Sequence, residues 1–104
     1  MALYGAYGNH TTESCPLNNQ VIRKGLIENG PKIKDLAEKN NVKIVAQYHS
    51  ALEHDFLWVL DAENAHTVED LMIQAGVSKF NSLKIVPLTI FDDVIAHCKK
   101  IEGS

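Results

Sequence analysis

The stretch Val42-Lys-Ile-Val-Ala-Gln-Tyr-His49, Ser50-Ala-Leu-Glu53, His54-Asp-Phe-Leu-Trp-Val-Leu-Asp61 reads as two strands joined by a tight hairpin. β-Branched and aromatic residues fill both runs, and a short segment rich in polar residues separates them. In the second run Phe56, Trp58 and Leu60 alternate with Leu57 and Val59. Side chains alternate across a strand, so both faces of this one are apolar. The first run sets Val42, Ile44, Ala46 and Tyr48 against Val45. Strands of this kind belong to a sheet covered on both sides.

Upstream, residues Ala2 to Gly8 form a short strand, followed by a polar loop from Asn9 to Ser14. Cys15-Pro16 is expected to open a helix, because a proline loses nothing at the first helical position. Ile22, Leu26, Ile33, Leu36 and Ala37 recur at helical spacing, and Gly30-Pro31 predicts a kink within that pattern. Asn40-Asn41 ends it. Downstream, Thr67-Val-Glu-Asp70 resembles a capping box, with Val68, Leu71, Met72 and Ala75 as the buried face and Gly76 as the stop. Leu83 to Leu88 makes a fourth strand, placed at an edge by Pro87. A last helix from about Phe91 to Ile101 carries Phe91, Val94, Ile95, Cys98 and Ile101 on one face, so Cys98 is expected to be a buried thiol. His66 and His97 are expected to be solvated.

The order β-α-β-β-α-β plus a trailing helix is the split β-α-β pattern of an α+β domain. Right-handed crossovers then predict an antiparallel four-stranded sheet in the order 4-1-3-2. Residues 1–102 make one domain, and Gly103-Ser104 reads as a loose end. Two helices cover one face of such a sheet. The second face is apolar too, and a single trailing helix shields only a stripe of it. A homodimer or higher oligomer, its sheets packed face to face, is therefore expected.

Composition narrows the functional classes. The 104 residues are 45% hydrophobic and 22% charged, which suits one globular core. A net charge of −3 without a basic stripe argues against nucleic acid as a partner. No apolar run reaches the ~20 residues of a membrane span. The first residues lack the pattern of a secretory signal, and two cysteines make no disulfide framework. The expected setting is cytoplasmic, and the acceptor triplet Asn9-His10-Thr11 is read as coincidence.

The expected topology gathers one polar end. The end of the first strand, the loop after it, the hairpin and the start of the fourth strand all lie there. His10, Glu13, Cys15, His49, Glu53 and His54 therefore converge, although they are scattered along the chain. Imidazole, thiolate and carboxylate are the ligands of transition metals. Two histidines with a cysteine favour zinc or copper, and two histidines with a carboxylate suit iron or nickel. His10, Cys15 and His54 are the first-choice ligands, with His49, Glu13 or Glu53 completing the shell. Polar residues also collect in solvated loops without any ion. Cys15 at a helix start has a second reading as an activated thiolate, and a third as an inert structural residue. Tyr4, Tyr48 and Trp58 are candidates to line a small-molecule pocket; Trp58 reads equally well as core. Lys79 and Asn81 lie at the same end but carry no motif.

The strand and helix order with two-sided strands resembles the dimeric α+β-barrel superfamily of ferredoxin-like folds. The segments His10-Thr-Thr-Glu-Ser-Cys15-Pro16 and Glu53-His54-Asp-Phe56, with the strand end Leu60-Asp61-Ala62, resemble a group of small bacterial and archaeal members. Small nickel-binding proteins are similar in layout, as are cofactor-free monooxygenases, muconolactone-type isomerases and haem enzymes. The resemblance therefore implies a homodimer but spans several chemistries. Three readings follow. One is a metal-binding dimer. Another is a cofactor-independent oxygenase or isomerase for a small aromatic or quinone-like molecule, with His10 or His54 as general base. The last is an interaction module without catalysis.

Overall fold

The structure, a computed structural model, describes residues 1–103. Its elements are β1 (Ala2–Asn9), α1 (Gln20–Asn29), α2 (Ile33–Lys39), β2 (Lys43–Ser50), β3 (Asp55–Ala62), α3 (Ala65–Gln74), β4 (Ser82–Leu88) and α4 (Phe91–Glu102). The sheet runs β2-β3-β1-β4 with every neighbouring pair antiparallel, the expected order read from the other edge. Pro87 lies in the edge strand β4, where its missing N–H costs no ladder bond toward a second neighbour.

Burial along β3 alternates without a break. Phe56, Trp58, Leu60 and Ala62 are buried, and Leu57, Val59 and Asp61 are half-buried. The buried set packs with Ala6 of β1, Ile33 and Ala37 of α2, and Val68, Leu71 and Met72 of α3. The kink expected at Gly30-Pro31 is a single 3-10 turn, Gly30–Lys32, between α1 and α2. Gly76 takes φ 78° after α3, a left-handed conformation that favours glycine, and stops the helix as expected. Gly103 caps α4, and the other half of the expected loose end, Ser104, lies outside the described residues.

Several local expectations are corrected. The first helix does not open at Cys15-Pro16 but at Gln20, capped by Asn19, whose side chain accepts from the Ile22 N–H. The asparagine pair Asn18-Asn19 offers the backbone better partners than an early helix would. α3 likewise begins at Ala65, two residues before the capping box read from the sequence. Asn64 is its cap, accepting from both the N–H and the hydroxyl of Thr67.

β2 contains a bulge between Ile44 and Ala46, so these residues lie on opposite faces, contrary to the simple alternation expected. Ile44 stands opposite Leu60, whereas Ala46 stands opposite Val59 and Tyr48 opposite Leu57. One extra residue inverts every side chain beyond it. As a result Gln47 and His49 fall on the helix-covered face, opposite Trp58 and Phe56.

The helices do not close over the sheet completely. α2 and α3 contribute buried residues, but α1 contributes none, and its Leu26 remains 44% exposed. α4 covers neither face. All of its residues are exposed, including Cys98, which is not the buried thiol expected. The radius of gyration is 16.0 Å, against roughly 13 Å for a compact chain of this length.

Candidate metal centre

The loop between β1 and α1 is tied to itself by short-range hydrogen bonds. The Thr11 and Ser14 hydroxyls lie 2.8 Å apart, and each hydroxyl accepts the other residue's N–H. The Asn18 side-chain amide donates to the Thr12 carbonyl and that of Asn19 to the Glu13 carbonyl. The Cys15 carbonyl accepts from the N–H groups of Asn18 and Asn19 at 2.9 and 2.8 Å. Arg23 of α1 reaches back to the Pro16 and Leu17 carbonyls. This bonding fixes the loop backbone around Cys15, which is fully buried although its segment is not helical.

On the opposite side the hairpin turns back at His54, which takes φ 55°. Histidine is among the few non-glycine residues that visit this left-handed region. The His54 carbonyl accepts the backbone N–H of His10 at 2.9 Å, locking the hairpin to the end of β1. His10 itself is only 7% exposed.

His10, Cys15 and His54 thus meet. Their possible ligand atoms all lie within 4.8 Å of one another, and together they form a group that can hold a metal ion. An ion at ~2.0–2.3 Å from nitrogen and sulfur separates its ligands by roughly 3.3–4 Å, a little less than that span. The hydrogen bonding agrees with such a use. His10 Nδ1 lies 2.7 Å from Asn81 Oδ1, and the Asn81 side-chain N–H donates to the Val77 carbonyl at 3.0 Å. That donation orients the amide, so its oxygen accepts from His10 Nδ1–H and the lone pair of the ring is left on Nε2. His10 Nε2 and His54 Nδ1 are buried and have no hydrogen-bond partner among the described residues. Burying an unpaired polar atom costs ~1–3 kcal/mol, which an ion bound by both nitrogens removes.

The remaining candidates are placed differently. His49 stacks on His10, with ring centroids 5.5 Å apart and planes inclined by 8°. Partial withdrawal from water and then the neighbouring His10 hold its pKa below the ordinary histidine value, with His54 adding to this and Asp55 opposing it. Withdrawal from water and the His10 ring thus both favour the neutral form of the His49 ring. Glu13 and Glu53 are exposed and stand outside the triplet. His66 is exposed, 3.9 Å from Glu69, and His97 is exposed on α4, as expected.

Beside the triplet, where α1 stands off the sheet, an open pocket of about 340 Å³ separates Pro16, Leu17 and Leu26 from Phe56 and Trp58. His10, His49 and Asn81 form its polar side, while Val77 and Phe80 extend its apolar wall. Trp58 and Tyr48 are among its lining residues. Tyr4 packs against the core opposite Leu60, away from this lining. Gly8 is required here, since a Cβ would overlap the Phe56 ring.

Asn81 and Phe80 are the residues that sequence reasoning left without a role. The position of Asn81 ahead of β4 was legible from topology, but an asparagine that supports a histidine leaves no motif, and Phe80 was not singled out at all. No helix among the described residues is long and apolar enough to cross a membrane. Comparison with known proteins gives no match to a family model, a curated protein or a solved structure.

Proposed function

We propose that the protein is a homodimeric transition-metal-binding protein whose ion is held by His10 Nε2, His54 Nδ1 and Cys15 Sγ. The observation that carries this reading is the grouping of His10 and His54, each with a buried ring nitrogen that has no hydrogen-bond partner among the described residues, with the buried thiol of Cys15. A set of two nitrogens and one thiolate favours zinc or copper over the harder ions. Nickel or iron would call for a carboxylate, and Glu13 or Glu53 would have to swing in from solvent. Both cysteines are free, as a reducing cytoplasmic setting requires of a thiolate ligand.

Pairing of two copies has independent support. Tyr7, Leu57 and Tyr48 form a row across three strands of the sheet face that carries no helix, ending at Lys84 on β4, with Val59 and Val86 beside them. Tyr48 is 65% and Tyr7 41% exposed there. α4 adds a second uncovered apolar surface, with Phe91 73% and Ile101 63% exposed. A second copy withdraws both from water at ~25 cal/mol per Å².

The pocket favours a second reading, a cofactor-independent oxygenase or isomerase with His49 or His10 as general base. Metal loading separates the two. The metal reading expects His10→Ala, Cys15→Ala and His54→Ala each to abolish stoichiometric binding of Zn²⁺ and the thermal stabilisation it brings. An untagged wild-type protein indifferent to Zn²⁺, Cu²⁺ and Ni²⁺ would leave the second reading standing.

A further inference from the structure

We propose that the pocket between α1 and the sheet binds a small aromatic monoanion whose anionic atom completes the coordination of the metal ion. This rests on the metal reading and adds a ligand class to it. Three protein ligands leave a tetrahedral ion one open position, as in catalytic rather than structural sites. His49, the nearest further imidazole, is engaged in stacking on the His10 ring at 5.5 Å and lies outside the triplet. Of the three ligand residues His10 alone lines the pocket, and Pro16, the neighbour of Cys15, lines it as well, so the pocket adjoins the site along the His10 flank.

The chemistry of the ligand follows from charge and surface. A divalent ion with one thiolate and two neutral imidazoles keeps a net charge of +1, which a single anionic donor neutralises in a site largely shielded from water. Beyond that end, Leu17, Leu26, Phe56, Trp58, Val77 and Phe80 offer apolar and aromatic surface. The Phe56 and Trp58 rings lie 5.5 Å apart and inclined by 46°, leaving edges and faces for a flat ring. A volume of about 340 Å³ admits a one- or two-ring molecule.

Cobalt(II) substitution combined with a fluorescent aromatic acid tests this. Co²⁺ bound by Cys15 gives a thiolate-to-metal absorption band, which reports the site itself. 2-Naphthoate is then titrated into the cobalt protein and the metal-free protein, with uncharged 2-naphthamide as the isosteric control. The expected result is saturable binding of 2-naphthoate with a change in the cobalt ligand-field bands. Binding to the metal-free protein, and binding of the amide, should each be at least tenfold weaker. Leu26→Trp, which fills the pocket mouth, should weaken 2-naphthoate at least tenfold, with its cobalt bands recorded alongside; Leu17→Glu repeats the test from the loop side. A thiolate band with no response to 2-naphthoate overturns the ligand proposal alone. Equal binding of acid and amide, or of metal-loaded and metal-free protein, does the same. Absence of the thiolate band in the wild type overturns the metal reading and this proposal together.

Discussion

At the scale of the residue, the geometry around His10 makes Asn81 the support on which the candidate ligand depends. Its side chain donates to Val77 and accepts from His10 Nδ1, so one amide sets both the tautomer and the ring plane. Outer partners of this kind typically contribute 10–100-fold in metal affinity. Asn81→Ala should therefore weaken Zn²⁺ binding by about that factor, read by competition with a chromophoric chelator, while the fold is retained. Asn81→Asp should restore affinity, because a carboxylate accepts the same Nδ1–H. Equal affinities in all three proteins would show that the Asn81 bond does not support metal binding through His10. His10, Cys15 and His54 were legible as candidates because topology alone brings their segments to one end. Asn81 was legible only as a neighbour, since its role depends on a 2.7 Å contact with a residue 71 positions away.

At the scale of the element, β2 and α1 shape the site more than the hydrophobic pattern shows. Strand order, hairpin and the stop at Gly76 could be read from periodicity and turn chemistry. The bulge after Ile44 could not, because Val42, Ile44, Ala46 and Tyr48 alternate as well in a regular strand. Its effect is to turn His49 toward His10. Deleting Val45, the residue left unpaired by the bulge, should give a regular strand that still sets Tyr48 opposite Leu57 and His49 opposite Phe56, so the His10–His49 proximity should persist in histidine NMR spectra; its loss would contradict this register. Phe56, in the pocket wall on β3, has its own requirement, the absence of a side chain at Gly8 on β1. Gly8→Ala should push the Phe56 ring aside at a cost of ~1–3 kcal/mol. For a domain of this size that corresponds to a fall in Tm of roughly 4–8 °C per kcal/mol. Adding Phe56→Leu should recover part of the loss, and strict additivity of the two changes would contradict the overlap. The helix starts at Asn19 and Asn64 were misplaced from the sequence because nearby proline and capping-box patterns compete with asparagine caps whose bonds appear only in three dimensions.

At the scale of the whole molecule, the dimensions of 57 × 31 × 18 Å show a chain that leaves surface unused. The two-sided apolar sheet was readable from β3 alone, whereas the projection of α4 was not, since its apolar stripe reads equally as a helix folded back. Sedimentation should give a dimer for the wild type and a shift toward monomer for Val59→Lys, at the centre of the uncovered face between Gly5 and Ala46. An unchanged sedimentation coefficient would place the interface elsewhere. The residues of the candidate metal site all come from one chain, so metal binding there should survive that substitution. Elemental analysis of untagged protein, compared with a Cys15→Ala/His54→Ala double variant, therefore tests the central claim most directly. The expected result is about one transition-metal ion per chain in the wild type and none in the variant; wild-type protein that carries no ion and gains no thermal stability from Zn²⁺, Cu²⁺ or Ni²⁺ would contradict it.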